Sequence, residues 1–187
     1  KKIKKFFCFE PNKTLYEKLQ NKYKLNKKIW LFDYALGDNN SNKRLFLSNL
    51  SYNSTMSSFN QESNYLKFKN LILKDKENKQ FIVVKQKKFD QVFKNKNIKN
   101  SFLKIDVEGY EYNVLKGASK KIKDTKYILI ENQFSDQYQN NFNKVKKLLV
   151  KYNFSMIKSF YYPTLHYKDI LFINKKYKKI KNWLWMI

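Results

Sequence analysis

Short apolar runs alternate with amphipathic helical patterns along most of the chain. Four of the apolar runs predict strands, at residues 6–9, 29–32, 102–105 and 127–130. Apolar side chains at helical spacing predict three helices, within residues 15–23, about 109–122, and 142–152. This alternation is typical of βα units around a mostly parallel sheet, so the sequence predicts an α/β fold.

Two regions depart from the alternation. Four further strands are predicted there, at residues 44–48, 81–85, 154–161 and 169–173. A short connection around Pro163 joins the last two strands, which predicts an antiparallel hairpin. We interpret residues 43–93, which include a segment rich in serine and asparagine at 51–64, as an insertion above the sheet edge. The organisation expected is one domain over residues 1–174, followed by a basic and aromatic tail at 175–187.

Length and composition narrow the class of protein. A chain of 187 residues suits one domain with a sizeable core, and 42% hydrophobic residues exclude wholesale disorder. Cys8 is the single cysteine, which excludes an internal disulfide framework and a cysteine-rich zinc site, and it is expected to be an inert thiol within an apolar run. No apolar stretch approaches the ~20 residues of a membrane span. We therefore expect a soluble, cytoplasmic setting.

The net charge of +25 first suggests a protein that binds nucleic acid. Arg44 is, however, the only arginine among 40 basic residues, and arginine is the usual bidentate partner of guanine and phosphate. Glycine, proline and alanine are scarce, while lysine, asparagine and isoleucine abound, as an AT-rich coding sequence would dictate. We expect no specific nucleic-acid binding. An affinity for DNA that falls steeply with salt concentration would support the opposite view.

Acidic residues are few, and four of the fifteen directly follow a predicted strand: Glu10, Asp33, Asp106 and Glu131. In an open parallel sheet the carboxyl ends of the strands form the ligand crevice. Four acids there would make a locally negative pocket, suited to ribose hydroxyls or to a cationic centre. The alternative is that these are ordinary turn residues, because aspartate favours strand exits.

Two of these acids lie in more specific contexts. Glu10 follows a strand and precedes a helix, where an acid in a nucleoside-binding fold accepts hydrogen bonds from a ribose, although this alone cannot separate a nicotinamide cofactor from S-adenosylmethionine. Asp106 begins the run DVEG, in which Gly109 allows a sharp turn into a helix. Glu108 near that helix start also favours the helix dipole, a structural explanation for its presence. No metal site is predicted.

Five motifs together resemble the FkbM-type methyltransferases in order and spacing: FEPN at 9–12, ALGD at 35–38, FLKIDVEG at 102–109, VLKGA at 114–118 and IE at 130–131. The run KFD at 88–90 stands where that family usually has TLD, and STMSS at 54–58 stands where it often has a serine cluster. The resemblance covers about residues 6–173. It implies a class I methyltransferase with a Rossmann-like, seven-stranded sheet that ends in an antiparallel hairpin and uses S-adenosylmethionine.

The resemblance also implies roles for individual residues. Glu10 would hold the ribose hydroxyls of the cofactor, Asp33, Ala35 and Leu36 would border the adenine, and Asp106 would face the methionine end and the acceptor. Members typically methylate a hydroxyl oxygen of small molecules or sugars, so a small-molecule or glycan acceptor is expected.

Removal of the acceptor proton needs a base, and two residues are candidates. Asp106 could orient or deprotonate a hydroxyl, and His166, the only histidine, is the alternative base unless it is simply a solvent-exposed loop residue. Glu108 and Glu131 are placed on the substrate side of the crevice.

One departure from the family concerns the start of the chain. The family's first strand and glycine-rich turn should precede Phe6, and that strand should lie between the strands ending at Glu10 and Asp106. We expect the chain to be the C-terminal part of a longer protein, the alternative being a degenerate one.

Three other functions stay open. The first is a catalytically inactive partner that retains the fold, the second is lysine-mediated nucleic-acid binding, and the third is a dinucleotide-dependent oxidoreductase. The tail at 175–187 also suits weak peripheral contact with an anionic membrane, because lysines and tryptophans favour that interface.

Overall fold

The structure is a computed structural model that describes residues 3–47, 54–55, 81–133, 136–161 and 167–178. Three predictions fall wholly or mainly outside these residues. They concern His166, the connection around Pro163, and the tail beyond residue 178. Of the serine- and asparagine-rich segment, only Ser54–Thr55 is described.

Strands and short helices alternate along the described chain. The strands are β1 Phe6–Phe9, β2 Ile29–Phe32, β3 Ala35–Leu36, β4 Ser41–Leu47, β5 Ser54–Thr55, β6 Phe81–Lys87, β7 Phe102–Ile105, β8 Tyr127–Gln133, β9 Phe154–Tyr161 and β10 Tyr167–Asn174. The helices are α1 Lys13–Tyr23, α2 Phe89–Val92, α3 Glu111–Gly117 and α4 Asp136–Lys151, with 3₁₀ turns at Lys121–Asp124 and Lys175–Tyr177. Within these residues, no helix is long and apolar enough to span a bilayer.

The strands of the described residues form three sheets, and β1–β2 is separate from the sheet that contains β7. β1 and β2 pair in parallel, β7-β8-β10-β9 form a second sheet, and β3-β6-β4-β5 form a third. The mixed α/β class and the antiparallel β9–β10 hairpin are confirmed. Of the seven strand pairs in the described residues, only β1–β2, β3–β6 and β7–β8 are parallel. Among these residues, β1 hydrogen-bonds only with β2 and β7 only with β8, so nothing joins the two sheets through a shared strand.

The main core lies between the β7-β8-β10-β9 sheet and helices α3 and α4. Ile105, Ile130 and Ile170 occupy one register position on three neighbouring strands, and each is at most 3% exposed. Leu115 of α3 and Leu149 of α4 belong to the same buried cluster. Because side chains alternate along a strand, this apolar row marks the face of the sheet that the helices cover.

The predicted helix over residues 109–122 is wrong in length. The chain forms α3 only over Glu111–Gly117 and then a separate 3₁₀ turn. Asp90 supplies the physical reason, because its carboxylate accepts hydrogen bonds from the backbone N–H groups of Lys120, at 2.9 Å, and Lys121, at 2.8 Å. The hydroxyl of Ser119 donates to the same carboxylate at 3.2 Å. A side chain from a distant segment thus redirects the backbone and caps the turn that follows.

Two glycines bring the ALGD and VLKGA segments into contact. A Cβ built on Gly117 would lie 1.8 Å from the carbonyl oxygen of Gly37, so only glycine allows this approach. Gln86, 2% exposed, bridges the same region: it accepts a hydrogen bond from the Tyr110 hydroxyl at 3.0 Å and donates to the Asn39 carbonyl at 3.0 Å. The β3-β6-β4-β5 sheet is thereby attached to the segment that leads into α3.

Candidate active site

Strand register places three carboxylates side by side. Ile105 pairs with Ile130 on β8, so Asp106, the next residue, lies beside Glu131, and Glu131 pairs with Asp169 on β10. Side chains alternate across a sheet, so these three acids project from the face opposite the buried isoleucines. We call Asp106, Glu131 and Asp169 the acid row. The prediction that Glu131 follows a strand is wrong, because β8 continues to Gln133.

A lysine offsets the negative charge of the acid row. Like charges on neighbouring strands repel, so three carboxylates at one register position destabilise the sheet unless a cation compensates. Lys104 lies two residues before Asp106 on the same face, and its Nζ is 2.8 Å from Asp106 Oδ2. The hydrogen bond to Asp106 raises the pKa of Lys104, burial lowers it, and the charges of Asp106, Asp169 and Glu131 raise it further. The ammonium therefore stays protonated among the acids.

Glu108 joins the acid row through a tight turn. Carboxylate oxygens of Asp106, Glu108 and Glu131 all lie within 4.8 Å of one another. Such oxygens are the ligands that Mg²⁺ and Ca²⁺ prefer, but exposed acids also cluster without an ion, and here the Lys104 ammonium compensates part of their charge through Asp106. That the site holds no metal therefore stays a prediction.

A buried glutamate supports this turn. Glu111, the first residue of α3, is 6% exposed, and its Oε1 accepts a hydrogen bond from the backbone N–H of Gly109 at 2.9 Å. Burial raises the pKa of Glu111 to about 7, although the hydrogen bond from Gly109 opposes that increase. An acid that is half protonated near neutral pH beside a carboxylate cluster is typical of a functional site.

The carboxyl ends of β1 and β2 form a second group of predicted residues. Phe9 pairs with Phe32, so Glu10 and Asp33 follow neighbouring strands at the same level. Glu10 is half-buried, and its Oε1 accepts a hydrogen bond from the backbone N–H of Asn12 at 2.8 Å. Burial raises the pKa of Glu10, while that hydrogen bond lowers it. A carboxylate has two acceptor oxygens, so Glu10 still offers one to a ligand, and Asp33 is exposed beside it.

The remaining predicted cofactor contacts lie in β3. Ala35 pairs with Gln86 and is 5% exposed, whereas Leu36 is partly buried against the main core. Their side chains thus contribute mainly to packing. The backbone beside them leads from Asp33 to Gly37, which is held by a hydrogen bond from its N–H to the Lys87 carbonyl at 3.1 Å.

Sequence reasoning missed three residues of this region. Lys104 was quoted within its motif but given no role, although a lysine two residues before an acid on one strand shares its face. Asp169 was predicted only as part of a strand, and its place beside Glu131 depends on a register that local sequence does not specify. Glu111 was detectable as an acid at a helix start, but helix-dipole stabilisation explains such acids equally well.

A comparison with protein families gave one match. A family model described as a methyltransferase FkbM domain matches residues 1–156. That range contains all five sequence motifs and the strands that carry Glu10, Asp33, Asp106 and Glu131, and it ends before β10 and Asp169. Searches of curated proteins and of solved structures returned no match.

Proposed function

The chain belongs to the FkbM methyltransferase family, and on that basis we propose that it transfers a methyl group from S-adenosylmethionine to a hydroxyl oxygen of a small molecule or sugar. Methyl transfer follows from the family itself. The cofactor and the hydroxyl acceptor are supported by the chemistry of the site. The single observation that carries this proposal is that carboxylate oxygens of Asp106, Glu108 and Glu131 lie within 4.8 Å of one another.

The donor set fits S-adenosylmethionine in two respects. The cofactor carries a sulfonium and an ammonium, and a carboxylate cluster in a protein of charge +25 attracts cations to one place. It also carries ribose hydroxyls, which the available oxygen of Glu10 can accept as hydrogen-bond donors. Glu10 with Asp33 would hold the nucleoside end, and Asp106 would face the methionine end.

When bound, S-adenosylmethionine would supply a methyl group that its sulfonium sulfur already activates. On transfer the C–S bond would break and leave its electron pair on sulfur, while the acceptor oxygen would bond to the methyl carbon and lose its proton. The protein's own contribution is therefore positioning and proton removal. Asp106 is the exposed residue of the acid row, so its carboxylate can orient a hydroxyl and accept a hydrogen bond from it. Lys104 donates a hydrogen bond to Asp106 Oδ2 at 2.8 Å, which holds that carboxylate in place.

The proposal is tested by calorimetry with S-adenosylmethionine, followed by mass spectrometry for S-adenosylhomocysteine in the presence of a panel of sugars and hydroxylated small molecules. Asp106→Asn should abolish product formation and leave the fold intact. Asp124→Asn is a matched control, because Asp124 also contacts a lysine, Lys121 at 3.5 Å, but lies outside the cluster. Near-normal turnover by Asp106→Asn would exclude Asp106 as the key residue and direct attention to His166. Binding of NADH rather than S-adenosylmethionine would refute the cofactor assignment.

A second candidate is binding without catalysis. It is favoured by the separation of the β1–β2 pair from the sheet that contains β7, since the described residues supply no strand between Glu10 and Asp106. Calorimetric binding of S-adenosylmethionine with no product from any acceptor in the panel would support this alternative.

A further inference from the structure

The DVEG segment forms a turn whose backbone angles suit Gly109 but are unfavourable for Glu108. The backbone N–H of Tyr110 donates to the carbonyl of Val107 at 3.3 Å, which closes a four-residue turn. Both central residues have positive φ, 50° at Glu108 and 95° at Gly109, as a type I′ turn requires. Glycine adopts such angles freely, whereas glutamate has a Cβ and no short polar group that favours them. Glu108 is therefore strained, and surrounding contacts must hold it.

Two side chains from two helices hold this turn on both sides of Gly109. Glu111 of α3 accepts the N–H of Gly109 at 2.9 Å, and the side-chain amide of Asn141 of α4 donates to the carbonyl of Gly109 at 2.9 Å. The two helices pack against each other within the main core, so their positions are coupled. The peptide groups before and after Gly109 are thus each fixed by one hydrogen bond from a separate element.

Helix-dipole stabilisation alone does not account for Glu111. An exposed carboxylate at the start of α3 would gain the same dipole energy without the cost of burial. Glu111 is instead almost fully buried and directs its oxygen back to Gly109. Burial of the Glu111 carboxyl group is unfavourable, and its hydrogen bond to Gly109 fixes the turn that contains Glu108.

We propose that Glu111 and Asn141 are positioning residues of the active site, which hold the Glu108–Gly109 turn so that the Glu108 carboxylate is directed at Asp106 and Glu131. The consequence for cofactor binding rests on the proposed function above. The claim that Glu111 and Asn141 fix the turn does not rest on the proposed function, and it is measured separately.

The geometric claim is tested by NMR on the full chain. The protein has only three glycines, so ¹⁵N-glycine labelling gives a spectrum in which the Gly109 amide is readily assigned. Labelling the carboxyl carbons of its seven glutamates makes the Glu108 side chain visible, with Glu108→Gln identifying its resonance. The variants are Glu111→Leu, which removes the acceptor, Glu111→Gln, which keeps an acceptor oxygen, and Asn141→Ala. Asn143→Ala is the matched control, because Asn143 is an exposed asparagine on the same helix.

In Glu111→Leu, hydrogen exchange at Gly109 should accelerate by about tenfold or more, the loss expected for a hydrogen bond to a charged group. In both Glu111→Leu and Asn141→Ala the Glu108 carboxyl resonance should move. Glu111→Gln should retain the exchange protection, and Asn143→Ala should match the wild type in both measurements. A Glu108 resonance that stays in place in the folded variants overturns the proposal. If Glu111→Leu does not fold, Asn141→Ala decides alone, since it acts on the same turn from a partly exposed position.

Calorimetry with S-adenosylmethionine separates this proposal from the proposed function. Asn141→Ala should bind the cofactor at least about tenfold more weakly than the wild type and Asn143→Ala. If the wild-type chain itself does not bind it, the proposed function fails, while the Glu108 resonance still decides whether the turn is positioned. If Asn141→Ala moves the Glu108 resonance but binds the cofactor as tightly as the wild type, the role of these residues in the active site is refuted.

Discussion

Replacing Gly117 with alanine tests the contact between the ALGD and VLKGA segments. The added Cβ would lie 1.8 Å from the carbonyl oxygen and 2.8 Å from the carbonyl carbon of Gly37. Ordinary contact between such atoms needs about 3.5 Å, so the two backbones must separate by about 1.7 Å. Both partners are backbone, one at the end of α3 and one in the turn after β3, so no side chain can rotate away to relieve the overlap.

The cost follows from three contributions. Overpacking of this kind costs about 1–3 kcal/mol, and the separation also strains the Tyr110–Gln86 hydrogen bond, which contributes about 1 kcal/mol. Alanine returns up to about 1 kcal/mol as a better helix former than glycine. The nearby ion pair between Lys116 and Asp38, 3.5 Å apart, joins a half-exposed lysine to an aspartate whose side chain is only 21% exposed. The free energy of unfolding should therefore fall by about 1–3 kcal/mol.

Urea unfolding followed by tryptophan fluorescence and circular dichroism measures this change. Lys116→Ala is the control, because it removes the ion pair beside Gly117 and leaves the backbone contact intact. Its midpoint should fall by no more than the loss of one partly exposed ion pair, about 1 kcal/mol, whereas Gly117→Ala should unfold at clearly lower urea. A Gly117→Ala midpoint equal to or above that of the wild type would show that the two segments are not in backbone contact.

Three further predictions concern single acids. Asp90→Ala removes the acceptor of the hydrogen bonds that cap the 3₁₀ turn and should lower the free energy of unfolding by about 2–3 kcal/mol. The control Asp33→Ala, at an exposed site, should change the free energy of unfolding little. Equal urea midpoints for the two variants would refute the capping role of Asp90. Burial raises the pKa of Glu111 from 4.5 to about 7, so between these pH values the folded state binds more protons than the unfolded state. Its contribution to stability is therefore fully present below about pH 4.5 and is lost as pH rises to about 7, a decrease of about 3 kcal/mol. Glu111→Gln should remove this part of the pH dependence, and parallel stability–pH curves for the two proteins would contradict it. Glu108→Asn should raise the unfolding free energy by about 1 kcal/mol, because asparagine tolerates positive φ better than glutamate and carries no charge to repel the acid row. A lower urea midpoint for Glu108→Asn would show that the turn is not strained.

Local pattern was sufficient to predict several elements to the residue. β1, β2 and β7 have the predicted bounds, because each is a four-residue, mainly apolar run that an acid directly follows. β9 also has its predicted bounds, 154–161, whereas β10, β4 and β6 differ from the prediction by one to three residues at their ends. Burial alternates along a strand within a few residues, so this information is contained in short segments of sequence.

The break in the helix after Gly117 shows where local pattern fails. Gly117, which follows Lys116, is a local sign of a helix end, but apolar spacing continues from Val114 to Ile122 and predicts a longer helix. The break depends on Asp90, whose carboxylate arrives from a helix about thirty residues earlier in the chain and captures two backbone N–H groups. A hydrogen bond between distant segments outweighs the intrinsic preference of the segment itself.

The candidate site divides in the same way. The sequence alone placed Glu10, Asp33 and Asp106 at strand ends, and its motifs indicated the methyltransferase family. Only the tertiary structure decided that Asp169 completes a row with Asp106 and Glu131, because strand partner and register depend on contacts made across the whole sheet. It also decided that Glu111 is buried, because the packing of two helices excludes solvent from this residue. Its local sequence, an acid at a helix start, is equally compatible with an exposed and with a buried side chain.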